Sequence, residues 1–165
     1  MKKRSELSFK ALANKAGLFS HKYGDVRYCA VCSSPLPKSE NAPDYVVARN
    51  VLWVECKGGE GPWNWQEISE TGARVNQRQF LLSHPSALFI ELGAGRAPNG
   101  KGAWMMPFYI WVDQIEPYLI TNNIKSLAFE RRPRVPSILE MPRFEPWRLE
   151  WDKGAWLWPT IWTAL

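Results

Sequence analysis

Two carboxylates and a lysine stand at a spacing that can do chemistry: Asp44, ten intervening residues, then Glu55-Cys56-Lys57. Between them two apolar, β-rich runs, 45–48 and 51–54, flank the polar pair Arg49-Asn50, which is how a tight β-hairpin reads. With a two-residue loop, position 48 faces 51 and 47 faces 52, and so on outward until Asp44 lies opposite Glu55, with Cβ atoms about 4.5–5.5 Å apart. Side chains alternate between faces, so Glu55 and Lys57 point one way and Val54 and Cys56 the other. Two like charges so close raise each other's cost of ionisation unless a cation lies between them. Oxygen ligands of this kind suit Mg2+, with Mn2+ as a substitute, because Mg2+ keeps several waters and takes one or two protein carboxylates. Lys57, beside that cation and a bound phosphate, could orient the attacking water or help deprotonate it, which is the chemistry of phosphodiester hydrolysis. The plain structural alternative is a surface hairpin with an ordinary Glu/Lys pair.

The elements that must position these residues follow from periodicity and turn signals. A helix is predicted from Ser5 as N-cap to about Ala16, with Gly17 as C-cap. Phe9, Leu12, Ala13 and Ala16 make its buried stripe, and Glu6 occupies the tip of that stripe. Residues 25–33 read as a first strand, followed by a turn through Pro35 and Pro37. After Lys57, residues 58–62 read as a flexible link, and Trp63 and Trp65 as buried aromatics or as stacking partners for bases. A helix over 69–83 follows, with Ala73, Phe80 and Leu81 on its inner face and Gln77 among them. Strands over 87–92 and 104–112 flank a glycine-rich loop, and Asp113 with Glu116 three residues on reads as the opening of a short helix. Gly95 and Gly100-Lys101 approach a phosphate-loop pattern, but Gly102 stands where Ser or Thr must hold Mg2+, and a strand follows where a helix is needed. Cys29-x-x-Cys32 lacks a second ligand pair for zinc. The resulting fold class is α/β, with a mixed central β-sheet flanked by helices.

At 165 residues the chain is one domain, with a core over 1–123 and a Trp- and Pro-rich extension over 124–165 that should pack on that core or on a dimer partner. The net charge of +5 favours a polyanionic partner, and residues 1–30 account for all of it. Lys2, Lys3 and Arg4 in that arm, Lys38 before the site, Arg74 and Arg78 one helical turn apart, and Arg96 and Lys101 on the loop are the candidate DNA-backbone contacts. Three cysteines are too few for a disulfide framework, and no apolar run approaches the ~20 residues of a membrane span, so a cytoplasmic protein without a membrane partner is expected.

The combination of Pro43-Asp44, Glu55-Cys56-Lys57 at the end of an apolar strand, and a following helix that carries Gln77 resembles the PD-(D/E)xK nuclease superfamily. Within it, residues 5–120 are most similar to the RecU-like and archaeal-type Holliday junction resolvases, including those of bacterial viruses. The resemblance implies a restriction-endonuclease-like core and a metal-dependent endodeoxyribonuclease that resolves four-way junctions during DNA recombination and repair. It implies Mg2+ held by Asp44, Glu55, the backbone carbonyl of Cys56 and Glu6 of the first helix. Lys57 and Gln77 would complete the catalytic set, and the protein would act as a homodimer. Other structure-specific or restriction-like nucleases of the same fold, and a DNA-binding module that has lost the chemistry, are the alternatives.

Overall fold

The computed structural model describes residues 4–18, 20–22, 44–47 and 52–159. Helix α1 (Arg4–Lys15) precedes strands β1 (Ser20–Lys22), β2 (Tyr45–Val47) and β3 (Leu52–Gly59). Next come β4 (Trp63–Asn64), a 3-10 turn (Trp65–Ile68), α2 (Val75–Ser83), β5 (Ser86–Leu92) and β6 (Gly102–Pro107). The chain is then helical from α3 (Phe108–Ile110) through a π segment (Trp111–Ile115) into α4 (Glu116–Thr121), and β7 (Ser126–Leu127), β8 (Trp151–Asp152) and β9 (Ala155–Trp156) complete it.

Five strands form one sheet in the order β1-β2-β3-β5-β6. Only β3 and β5 run parallel; the other neighbours are antiparallel, so the sheet is mixed. A parallel pair needs a crossover long enough to carry a helix, and the segment from Glu60 to Pro85 supplies it with α2. Alternation along the strands sorts the core into two layers. Phe9, Leu12 and Ala13 of α1 pack with Tyr45, Val47, Val54, Cys56, Phe89 and Met105 on one face. Leu81 of α2 and Trp111, Ile115 and Leu119 pack with Leu88, Ile90, Trp104 and Met106 on the other. The protein is therefore α/β, its mixed sheet flanked by helices.

Several sequence expectations change. Ser5 lies inside α1 and is buried, one residue past the helix start at Arg4. The C-terminal cap is as read: Gly17 has φ 68°, the Leu18 N–H reaches the Ala13 carbonyl at 2.9 Å and the Gly17 N–H the Asn14 carbonyl at 3.0 Å. The strand expected over 25–33 and its Cys29-x-x-Cys32 lie outside the described residues. Gly58 and Gly59 are no link but the last residues of β3, paired with Glu91 and Leu92. The second helix begins at Val75, not 69, and Ala73 is exposed. The strand expected over 104–112 stops at Pro107. Phe108, Trp111, Ile115 and Leu119 then recur every three or four residues, and this period turns one continuous apolar face inward as a helix. Asp113 sits exposed within that helix and does not start it.

The described part of the C-terminal extension lies against the domain's own core. Ile138, Met141 and Phe144 join the α2-side layer, and Leu149 and Trp156 the α1-side layer. The Leu149 N–H bonds the Ala103 carbonyl at 2.8 Å, so this segment covers the outer edge of β6. No helix among the described residues is long and apolar enough to cross a membrane.

Candidate active site

The pairing that organises the site is Tyr45↔Val54, Val46↔Trp53 and Val47↔Leu52. This register is the one expected from a two-residue loop at 49–50, a loop that itself lies outside the described residues. Val54 and Cys56 are in the α1-side layer, so Glu55 and Lys57 face α2. Asp44 precedes the first β2 residue, and its Oδ2 accepts the Cys56 N–H at 2.9 Å. A strand residue turns its N–H and C=O to the same edge. The Cys56 carbonyl therefore shares the edge that Asp44 occupies.

Glu55 and Lys57 are 2% and 5% exposed, and Lys57 Nζ lies 2.8 Å from Glu55 Oε1. Gln77, buried on α2, donates through Nε2 to Glu55 Oε2 at 2.8 Å, and its Oε1 receives Lys57 Nζ at a longer 3.4 Å. One amide thus serves the acid with its donor and the base with its acceptor. Glu67 was not anticipated. Its Oε1 lies 3.2 Å from Lys57 Nζ and accepts the Trp63 indole N–H at 2.9 Å, while its side chain stays 35% exposed. The signal that could have found it is the Asn64-x-x-Glu67 spacing of a helical N-terminus. Asn64 Oδ1 accepts the Gln66 N–H at 3.1 Å and folds a turn back over the end of β3.

Burial, the largest single influence on Lys57, favours the neutral amine. The charges and hydrogen bonds of Glu55, and then of Glu67, outweigh it together, and the ammonium is held above the ordinary lysine value. Lys57 is thus a fixed cation and hydrogen-bond donor at neutral pH, which suits orienting a water or phosphate oxygen and not removing a proton. Among the described residues three carboxylates, Asp44, Glu55 and Glu67, stand with the one ammonium of Lys57. On the edge that Asp44 occupies the described oxygen donors are its carboxylate and the Cys56 carbonyl, with the Glu55 carboxylate one residue earlier on the α2 face; donors of this type suit a hard divalent cation.

The remaining expected residues stand as follows. Glu6 is buried on α1, whose face of the sheet is opposite to that of Glu55; its backbone carbonyl accepts the Tyr45 hydroxyl at 3.3 Å. Among the described residues no three His, Cys, Asp or Glu side chains form a metal-holding group. Arg78 is a correction: it does not face solvent but is buried, donating to Glu116 Oε2 at 2.6 Å and to the Ile68 carbonyl at 3.0 Å. Lys101 is mostly covered, its Nζ 3.7 Å from Glu91 Oε1 and 6.0 Å from the Trp151 ring centroid. Trp63 and Trp65 are core residues and offer no stacking face. Arg4 is exposed and paired with Glu60. Arg74 and Arg96 are exposed, and Lys2, Lys3 and Lys38 lie outside the described residues.

Comparison of the chain with protein-family models, with curated proteins and with solved structures finds no match.

Proposed function

We propose that this protein is a Mg2+-dependent endodeoxyribonuclease built on a restriction-endonuclease-like core, acting on four-way or otherwise branched DNA as a homodimer. The observation that carries the reading is the β2–β3 register, which sets Asp44 beside the Cys56 backbone while Glu55, Lys57 and Gln77 meet on the α2 face. Asp44, Glu55 and the Cys56 carbonyl would hold Mg2+, or Mn2+ in its place. When bound, the ion supplies Lewis-acid stabilisation of the phosphate and a more acidic water. The chain's own residues do the rest. Gln77 orients the Glu55 carboxylate, and Lys57, kept charged by Glu55 and Glu67, donates to the water or to a phosphate oxygen. In-line attack on phosphorus breaks the P–O3′ bond and leaves a 5′-phosphate and a 3′-hydroxyl. A two-fold pair of sites is what symmetric cutting of opposing strands requires.

The test is cleavage of four-way, flap, nicked and linear DNA by the purified protein with and without Mg2+. Asp44→Asn is expected to lose cleavage and keep DNA binding; equal cutting of linear duplex would end the junction assignment. The Glu67 contact adds a narrower prediction. Glu67→Gln keeps an acceptor for Trp63 but loses the charge beside Lys57, so kcat should fall about tenfold to a hundredfold with little change in KM for DNA. An unchanged kcat would remove Glu67 from the site.

One observation favours a second reading, a DNA-binding module without catalysis: both oxygens of Glu55 are already engaged, by Lys57 and by Gln77. Heat of Mg2+ binding that disappears in Asp44→Asn would argue against it.

A further inference from the structure

Beside the charged site, on the same face of the sheet, lies a cluster of three rings that the proposed reaction does not use. Trp53 stands edge-on to both Phe80 and His84, the latter at 6.2 Å between centroids. Trp53 precedes Glu55 by two residues and so shares its face, about 7 Å away along the strand. Phe80 of α2 packs against Trp53 edge to face, with centroids 5.0 Å apart and planes at 86°. His84, just past the end of α2, lies flat on Phe80 with centroids 4.0 Å apart and planes at 13°. His84 Nδ1 is within 2.8 Å of the Phe80 carbonyl, so the N–H tautomer at Nδ1 is the one held and the ring cannot swing freely. One face of the imidazole is covered by Phe80, yet the residue is exposed.

We propose that the outer face of His84 is a stacking platform for an unpaired nucleobase of the strand bound at the Asp44–Glu55–Lys57 site; the inference rests on the nucleic-acid reading above. A ring already flat and hydrogen-bonded has paid its ordering entropy, so a base laid on it keeps most of the stacking free energy. The helix that ends at this ring leaves room for a nucleic-acid strand without like-charge repulsion. Residues 73–85 contain no carboxylate, and they expose Asn76 and Gln79, with Arg74 exposed at the far end of α2. Gln77, at the site, and His84, just past the last residue of α2, are seven residues apart, about 10 Å at helical rise. A base flanking the scissile phosphate is therefore within reach, whereas a fully paired base keeps both its faces in the duplex stack. The platform selects branched or frayed DNA over continuous duplex.

The experiment uses the full chain in EDTA, titrated with a short single-stranded oligothymidylate and with an abasic strand of the same length. The chain has two histidines, and the ring resonances of His84 are identified by their loss in His84→Ala. Upfield movement of these signals with the oligothymidylate but not with the abasic strand is expected. His84→Ala should weaken binding of the oligothymidylate about tenfold and leave the abasic strand unaffected. His84→Phe should restore it. Equal affinity for the two strands, no movement of the His84 signals, or no binding of either strand overturns the platform. A His84 shift in a protein that never cleaves DNA would sink the nuclease reading and leave the platform standing. Mg2+-dependent cleavage without the shift would do the reverse.

Discussion

Lys57→Ala is expected to lower stability by about 3–5 kcal/mol and to reduce cleavage by at least about a hundredfold. The stability loss follows from burial: Glu55 is 2% exposed, and its Oε1 has Lys57 Nζ at 2.8 Å. Removing the ammonium takes the charged partner from a carboxylate where water cannot restore its hydration, and the Gln77 amide offers it a neutral donor in place of a charge. Urea unfolding measures the first effect as a lower midpoint at an unchanged slope. The double variant Glu55→Gln/Lys57→Met, which removes both charges, should recover much of the stability and none of the activity, separating the two roles. The pH dependence has a definite sign. Lys57 is raised above its ordinary value of 10.5, so the folded state binds its proton more tightly than the unfolded chain does. Its contribution is full below that pH and fades as pH climbs through the higher folded value. The stability gap between wild type and Lys57→Ala should therefore be flat across neutral pH and narrow only in strong alkali. A gap that closes between pH 7 and 9 would mean that Lys57 is not held by Glu55 and Glu67.

The site was legible to the extent that it is local. The register of β2 on β3 is the one that two apolar runs around the polar pair Arg49-Asn50 imply, and a strand's two-residue period then settles which of residues 54–57 share a face. Gln77 was legible too, as a polar residue among apolar ones at helical spacing. Glu67 was not, because its approach to Lys57 depends on a 3-10 turn folding back over β3, and Trp63 and Trp65 drew attention to their rings and away from that turn. Arg78 misled for a similar reason. One buried arginine requires one buried acid, and its partner Glu116 reads as the opening turn of a short helix, because Phe108 to Val112 just before it reads as a β-rich run and hides the longer helix that packs on α2. In the 108–119 segment β-propensity and helical period disagree, and packing of Trp111 against Trp63, Trp65 and Phe144 decides for the period.

Gly58→Ala is expected to destabilise the domain on the order of 4 kcal/mol, although it adds a single methyl group. Gly58 has φ 109°, a conformation in which an L side chain is strained. A Cβ there would lie 2.0 Å from the carbonyl oxygen of Glu91 and 2.9 Å from its carbonyl carbon, and both are backbone atoms of the central parallel pair. Neither can move without parting β3 from β5. Glycine inside a strand commonly marks such an approach of two backbones, and for that reason the Gly58-Gly59 pair continues β3 instead of ending it. The same constraint reaches the site. Lys57 is the neighbouring residue, and Glu91 accepts the Trp156 indole N–H at 2.8 Å on the opposite face, so shifting Glu91 also loosens the C-terminal hairpin. Thermal unfolding of Gly58→Ala should show a large drop in midpoint, whereas Gly61→Ala, where a Cβ meets open space, should unfold close to wild type. If the two variants melt alike, the close β3–β5 contact that seats Lys57 is wrong.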